Sequence, residues 1–552
     1  MPELKDEPHH SQPAPPSSRD DHAHPLASAV RVVSGLTLLS RLAGLARDLV
    51  HARLMGDSAV GSAFMAAWAI PNLFRRLFGE GALSAAFVPE YAQLVENDRE
   101  LADRFASVTL AWLALLTGSL LLAGEAVLLV LLLGAGHDPD RALSLRLIML
   151  TLPYMPLVCV AAIVGGMLQS HGRFAPTAAA PIILNVLVIG AAVPFFLADR
   201  TEAMRTQAAY VIGVAAVVAG ALQAAWSLGA MRGRIRWRRT LRGAGEPMRR
   251  LLRRFLPVVI GMGTIQLNAF IDTVIAMWPV WFGPSVLGYT YPLDESSNSV
   301  LAFTQRLYQF PLGVFGIAVA TAVFPLLSRH AGDPGRFLGT LRRGLRLSFF
   351  IGLPASLGLM LVRGDLTYVM YGGGASAFSD EGIARAAAVL LGYAPGVWAY
   401  SLNHVVTRAF YASGDTRTPM RVALWMVALN LVLNCTLIWR MGEAGLAWST
   451  SITATLQLVL LTRASRRLTQ GPAIDRETLG GLGRTVGASL LMAGAVLVTL
   501  LALGGAESWS GSLLRLVAAV GTGGGAYAAA AVALRQQEFR WLIERSRPKG
   551  PA

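Results

Sequence analysis

The chain has 552 residues, of which 54% are hydrophobic and 15% charged, with a formal net charge of +15 and a mean hydropathy of +0.50. Apolar stretches long enough to cross about 30 Å of hydrocarbon recur from residue 28 to residue 535, which excludes a soluble globular domain and makes this a polytopic membrane protein. The two lysines, Lys5 and Lys549, stand in no GxxxxGK[ST] context, which excludes ATP hydrolysis through a Walker A loop.

The first 27 residues are polar, carry Pro, His and Asp, and lack the apolar core of a cleavable signal peptide. They read as a disordered tail. From there, fourteen spans are expected, near 28–55, 62–90, 105–134, 144–170, 175–197, 207–231, 252–280, 298–327, 340–363, 383–412, 418–440, 443–464, 482–503 and 512–535. Backbone groups in hydrocarbon need internal partners, so only helices or closed barrels qualify. Continuous runs such as LAWLALLTGSLLLAGEAVLLVLLL (110–133) lack the alternation of a barrel strand, and the fold is read as all-α. Both cysteines, Cys159 and Cys435, lie inside spans, against a disulfide framework or zinc site.

Basic residues are distributed unevenly between connectors. The connector after span 6, with its flank, carries Arg232, Arg234, Arg236, Arg238, Arg239, Arg242, Arg249, Arg250, Arg253 and Arg254, whereas 281–297 and 504–511 carry none. Connectors after spans 8, 10 and 12 and the C-terminal tail are also arginine-bearing. By the positive-inside rule, even-numbered connectors and both termini are cytoplasmic. The net charge is accounted for in this way, and no nucleic-acid partner is expected.

An internal echo links RRLFGEGALSAAFVPE (75–90) with RLYQFPLGVFGIAVATAVFPLLS (306–328). It suits two six-helix halves related by a pseudo-repeat, with two helices added. The divisions are a tail (1–27), an N-lobe (28–231), a basic connector (232–251), a C-lobe (252–464), a second connector (465–481), spans 13 and 14 (482–535) and a basic tail (536–552). Transporter sites commonly lie between such repeats near the midplane.

Four arginines fall at or near membrane depth: Arg41, Arg47, Arg75 and Arg306. Each costs roughly 2.5–3.5 kcal/mol at a helix centre. They either snorkel to the headgroups or face a wet cavity and meet an anion. Arg41 and Asp48 share a helix face, and Arg47 joins them if the helix bends near Gly44. An Arg47–Asp48 or Arg41–Asp48 pair that only neutralises buried charge is the plainer alternative. In span 2, Pro71 precedes Asn72, Arg75 and Arg76. Adjacent arginines on an α-helix diverge, so Arg76 is expected to point away, toward the headgroups or Glu80. The guanidinium fork suits phosphate oxygens, so convergence implies a phosphate or diphosphate ligand. An acidic drug or a carboxylate is the weaker alternative.

Spans 7, 11 and 12 carry Asn268, Asp272, Asn430, Asn434 and Thr450. Oxygens of Asp272, Asn430, Asn434 and Thr450 either hold a sodium ion or join packed helices by hydrogen bonds. His51 and His404 read as packed residues. There is no nucleophile–base pair, HExxH or carboxylate dyad in a convincing context.

SRLAGLARDLVHARLMG (40–56), IPNLFRRLFGEGALSAAFVPEY (70–91), QRLYQFPLGVFGIAVATAVFPLLS (305–328) and RAFYASGDTRTP (408–419) together resemble the MurJ (MviN) lipid II flippases of the MOP exporter superfamily. The likeness extends over roughly 28–535, with the same count of fourteen spans. It implies a transporter, not an enzyme, in the bacterial cytoplasmic membrane. It implies movement of an undecaprenyl-linked peptidoglycan precursor from the inner to the outer leaflet by alternating access. By motif, Arg41, Arg47, Arg75 and Arg306, with Asp48 and Glu80, would line the cationic cavity that takes the diphosphate and sugar head. Spans 13 and 14 would form the groove for the lipid tail. The resemblance implies membrane lipids as neighbours, a monomer as the working unit, and no cofactor apart from a sodium ion in some members. Ser62 stands where the family places an acidic residue, with Asp57 nearby, and Asn434 where a carboxylate is expected. The 281–297 connector is longer than the family norm. A multidrug or polysaccharide exporter of the same superfamily is the second reading, and a lipid-linked glycosyltransferase the third.

Overall fold

The computed structural model describes residues 23–79, 82–198, 201–238, 243–373, 378–469, 471–506 and 508–543, and the chain within them is almost wholly helical. The first half comprises α1 (Ala23–Met55), α2 (Ala59–Phe74), α3 (Ala82–Asn97), α4 (Arg99–Leu133), α5 (Pro139–Thr151), α6 (Tyr154–Ser170), α7 (Ala175–Ala192) and α8 (Glu202–Ala230). The second begins with α9 (Gly245–Ala276), a single turn α10 (Trp278–Trp281) and a hairpin of β1 (Ser285–Val286) and β2 (Tyr289–Thr290). It continues through α11 (Ser297–Pro311), α12 (Ile317–Arg329), α13 (Pro334–Tyr371), α14 (Asp380–Tyr393), α15 (Val397–Ala412), α16 (Arg417–Met441) and α17 (Glu443–Ala464). After the turn α18 (Arg466–Thr469), α19 (Arg476–Ala502), α20 (Trp509–Ala533) and α21 (Gln537–Ile543) complete the chain.

Ten helical stretches among the described residues are long and apolar enough to cross a membrane. Arg47, Asp272 and Arg306 lie on α1, α9 and α11, and Arg75 in the turn that follows α2. Many helices open on a side-chain cap of the expected kind: Asp98 accepts from Leu101 N, Asp333 from Gly335 N and Arg336 N, and Asp475 from Thr478 N.

Breaks recur at matching places in the two halves. A π-helical turn, Arg75–Gly79, follows Pro71 and leads toward α3; a second, Leu312–Gly316, follows Pro311 and leads into α12. Proline lacks the N–H that continues the helical ladder, and the wider turn accommodates the gap. Leu152-Pro153 separates α5 from α6, and a 3-10 turn around Pro395 separates α14 from α15.

One core cluster joins the two halves through Phe64, Trp68 and Tyr154 on one side and Phe303, Tyr308, Tyr371 and Tyr393 on the other. A second, around Phe87, Tyr91 and Phe105, also takes in Leu251 and Phe255 of α9, and a third, around Phe349 and Phe410, lies within the second half. The outward faces stay apolar: α4 exposes Leu115, Leu122, Val130 and Leu133, as a helix facing lipid does.

Residues 23–27, expected to be disordered, are the first turns of α1, and within the basic tail residues 537–543 form α21. The 281–297 connector carries strand structure in an otherwise helical chain: Ser285 pairs with Thr290 and Val286 with Tyr289. Leu287 and Gly288 both have positive φ, the requirement of a two-residue turn matched to strand twist. The hairpin is anchored by Asp294, which accepts a bidentate pair from Arg385 on α14 at 2.8 and 2.9 Å; Arg385 also bonds Glu443 at 2.6 Å.

Candidate functional site: a cationic cavity between the halves

A cavity of about 530 Å³ is lined from α1, α2, α6, α7 and α8, with Arg47, Arg75, Arg76 and Arg306 all on its wall. Each guanidinium is held from its own neighbourhood. Arg47 donates to Asp48 Oδ1 from Nε at 3.1 Å and Nη2 at 2.8 Å, and its guanidinium carbon lies 5.8 Å from the Trp68 ring. Trp68 is itself stacked on Tyr154, with ring centroids 5.7 Å apart. The second Asp48 oxygen lies 3.4 Å from Arg306 Nε, so one carboxylate is shared by arginines from both halves. Arg75 donates to Asn72 Oδ1 at 3.0 Å, and Asn72 in turn donates to Trp68 O at 2.9 Å.

The pair Arg47–Asp48, which the sequence leaves as either neutralisation or cavity wall, is therefore both. Its side chains stay 14% and 19% exposed, and Arg306 29%, on the scale of groups that meet solvent through a cavity. Four guanidiniums on one wall make it suited to an anion.

Two residues fall differently from expectation. Arg76 does not point away from the cavity: it lines it, and its Nη1 donates to Gln266 Oε1 at 3.2 Å. The reason is the π turn, which begins at Arg75: its wider winding brings consecutive side chains closer in angle than the about 100° of an α-helix. Arg41 is not on the cavity wall; it is exposed, and its Nη1 lies 3.5 Å from Gly313 O in the second π turn. Glu80 lies outside the described residues. Trp68 and Asn72, which the sequence reading did not assign to the site, supply the platform and the tether for the arginines.

At the end of the bundle that carries the hairpin, the halves are bound together. Arg53 donates to Val369 O at 3.0 Å and Met370 O at 3.2 Å. Ser62 Oγ accepts from Ser299 N at 2.9 Å, Asn298 Nδ2 donates to Ser62 O at 2.8 Å, and Ser299 Oγ donates to Gly56 O at 2.5 Å. Asp57 accepts from both the backbone N and the hydroxyl of Ser379. Gly61 is required here, since a Cβ on it would meet Ser299 Oγ at 2.6 Å. These bonds hold the two halves together at the hairpin end.

Comparison with known proteins bears on what such a cavity serves. The family described as "Lipid II flippase MurJ" matches residues 51–515. The chain belongs to that family. Relatives include a probable lipid II flippase MurJ of Vibrio cholerae, 32% identical over 90% of this chain and 94% of its own length. Another is the lipid II flippase MurJ of Burkholderia cenocepacia, 30% identical over 85% of this chain and 89% of its own. A solved structure titled "Lipid II flippase MurJ, inward closed conformation" shares the fold, with a TM-score of 0.73 and 22% identity over 93% of this chain and 99% of that one. An inward-facing multidrug transporter of the MOP superfamily shares it more loosely, with a TM-score of 0.62 and 14% identity over 80% of this chain and 98% of that one. Family membership makes the chain a multi-pass transporter of the MurJ type, not an enzyme.

Of the four residues expected around a sodium ion, three converge. Asn434 Nδ2 donates to Asp272 Oδ1 at 2.7 Å and to Asn430 Oδ1 at 3.0 Å, and Asn430 Nδ2 donates to Ser449 Oγ at 3.1 Å. Ser449 Oγ donates to Asn434 Oδ1. The Thr450 hydroxyl instead donates to Leu446 O on its own helix at 2.8 Å, because helical phase puts Ser449 toward α16. As arranged, Asp272 Oδ1, Asn430 Oδ1 and Asn434 Oδ1 each accept from an N–H or O–H donor. The set thus joins α9, α16 and α17 as a clasp, through a chain of buried hydrogen bonds. No group of three or more His, Cys, Asp or Glu that could hold a metal occurs among the described residues.

Proposed function

We propose that this chain moves lipid II, an undecaprenyl-diphosphate-linked peptidoglycan precursor, from the inner to the outer leaflet of the bacterial cytoplasmic membrane. The observation that carries the proposal is the convergence of Arg47, Arg75, Arg76 and Arg306 on one cavity within a chain of the MurJ family. A diphosphate diester offers several acceptor oxygens and two negative charges, which match the forked donors gathered on this wall. A cationic drug would meet repulsion on the same wall, which disfavours multidrug export.

The working architecture is fourteen spans in two six-helix lobes, with α19 and α20 beside them as the tail groove. The paired π turns and the paired breaks at Pro153 and Pro395 support the repeat, since each pair stands six spans apart. The arginine asymmetry supports cytoplasmic termini and an outward-facing hairpin. With that orientation, the bonds at Arg53, Asp57 and Ser62 close the outer mouth, and the arginine cavity awaits substrate from within. Export then requires those inter-lobe bonds to open while the arginine-rich ends of the lobes approach. The working unit is a monomer, because the site is complete within one chain.

The test is a leaflet-resolved assay of labelled lipid II in vesicles reconstituted with the purified protein. Appearance of label in the far leaflet at rates above protein-free vesicles is expected; no increase would refute the reading.

A further inference from the structure

The cationic cavity has a second, uncharged part. Asn185 on α7 and Gln223 on α8 line it, although they are only 3% and 4% exposed. Each amide nitrogen is fixed on a backbone carbonyl: Asn185 Nδ2 donates to Ser40 O at 3.2 Å, and Gln223 Nε2 to Ala180 O at 2.8 Å. Bonding to a carbonyl identifies the nitrogen end of each amide, so the oxygen end is identified too. Neither oxygen accepts a hydrogen bond from a described residue. Ser227, one turn beyond Gln223 and 1% exposed, adds a hydroxyl to the same wall.

Neither oxygen is among the buried side-chain atoms left without a partner, so both are reached from the cavity, unlike Asn403, whose nitrogen donates to Ala454 O and whose Oδ1 is buried with no partner. Here the oxygens belong to residues on the wall of a cavity already suited to an anion. Ser40, which anchors Asn185, precedes Arg47 by seven residues on α1, or about 10 Å along a helix. The cavity is therefore divided by hydrogen-bond sense, with donors at the arginines and acceptors at the amides. An ionised diphosphate offers acceptors only; N-acetylated sugars and a peptide stem offer N–H and O–H donors.

We infer that Asn185 and Gln223, assisted by Ser227, form an acceptor subsite for the N–H and O–H groups of the sugar and peptide part of the head group. The subsite lets the transporter prefer the loaded lipid over bare undecaprenyl diphosphate. This rests on the flippase reading above and adds which part of the substrate is read, and by which residues.

The test compares binding of lipid II and of undecaprenyl diphosphate to the purified full-length protein. Wild type should bind lipid II more tightly than undecaprenyl diphosphate. Asn185→Leu and Gln223→Met should each weaken lipid II by about 2- to 10-fold, the range for loss of one neutral hydrogen bond, and leave undecaprenyl diphosphate unchanged. Ser227→Ala, a smaller perturbation, should shift the ratio in the same direction. Arg306→Ala should weaken both lipids. Equal losses for both lipids in the amide variants, or no loss of lipid II, would make the amides interhelical clamps and overturn the subsite alone. A wild-type protein that binds neither lipid would overturn the flippase reading with it. Because the readout is a ratio within one preparation, a variant of low yield still decides.

Discussion

The Asp48 carboxylate lies between Arg47, at 2.8 Å, and Arg306, at 3.4 Å, and so joins the first helix to the eleventh across the interface between the two halves. A phosphate entering the cavity must compete with it for both guanidiniums. Such a competitor keeps an anion site from holding its cargo too firmly. Asp48→Asn removes the competing charge while keeping the shape. Undecaprenyl diphosphate should then bind more tightly, on the order of tenfold, the size of one charge-assisted hydrogen bond released. Flipping should slow as release becomes limiting. Weaker binding in Asp48→Asn would show instead that the carboxylate holds the guanidiniums in position.

The arginines themselves should rank by placement. Arg47→Ala, Arg75→Ala and Arg306→Ala should each weaken head-group binding by about 10- to 150-fold, the equivalent of 1.5–3 kcal/mol. Lysine should restore only part, since the fork is lost while the charge stays. Arg76→Ala should fall with this group, because the π turn brings it to the same wall. Arg41→Ala, at an exposed residue off that wall, should be milder. Growth complementation at matched protein levels, with binding to undecaprenyl diphosphate, measures both. An Arg41 defect equal to that of Arg306 would mean that the cavity takes a different shape when loaded.

The long helices were legible because hydropathy and length suffice for them, and the arginine cavity because charge at membrane depth is costly enough to be informative. What escaped lies in local winding and rotation. A regular α-helix puts Arg76 away from Arg75, and only the π turn after Pro71 changes that. Helical phase chose Ser449 over Thr450 for the clasp, within the error of any span boundary. Asn185 and Gln223 did leave a signal, as lone amides in apolar stretches of α7 and α8, but single polar residues in such helices usually join neighbours. The hairpin turn Leu287-Gly288 is not written in the usual Asn-Gly form, and no strand pattern precedes it.

Orientation can be read at two exposed positions. Leu287 at the hairpin tip is 94% exposed, and Ser328 at the opposite end is exposed as well. Ser297, in the same connector, is fully buried and unsuitable. In a Cys435→Ser background, which removes the exposed native thiol, Leu287→Cys should react with an impermeant thiol reagent in intact cells. Ser328→Cys should react only after permeabilisation. The reverse pattern would invert the topology.

The hairpin anchor should be insensitive to pH across the physiological range. Burial alone would raise the Asp294 carboxyl, but the hydrogen bonds and charge of Arg385, with bonds from Ser297 and Ser296, outweigh it and hold the group at about 2. A carboxylate held below its usual value of 3.8 stabilises fully above about pH 4, and that contribution is lost as pH falls toward 2. Amide exchange of residues 285–290, corrected for the intrinsic pH dependence, should therefore show constant protection between about pH 8 and 5. Asp294→Asn should lower protection at every pH in that interval. Protection that declines between pH 7 and 5 in the wild type would place the anchor elsewhere.

The clasp at Asp272 bears on the energy source. Asn434 turns its N–H groups toward Asp272 and Asn430, where a bound cation would need oxygens. Replacing sodium by a large organic cation should therefore leave the flipping rate in vesicles unchanged. The membrane potential supplies the alternative drive: an anion leaving an inside-negative compartment gains about 2.3 kcal/mol per charge per 100 mV. Dissipating the potential should slow export even with sodium present. Asn434→Asp exchanges the donor for an oxygen beside Asp272, and two like charges at that distance favour a shared cation. That variant should acquire a sodium dependence that the natural chain lacks. A wild-type rate that collapses on sodium replacement at constant potential would mean that Asn434 turns its amide over to coordinate the ion, and that the clasp is one state of a coupling site.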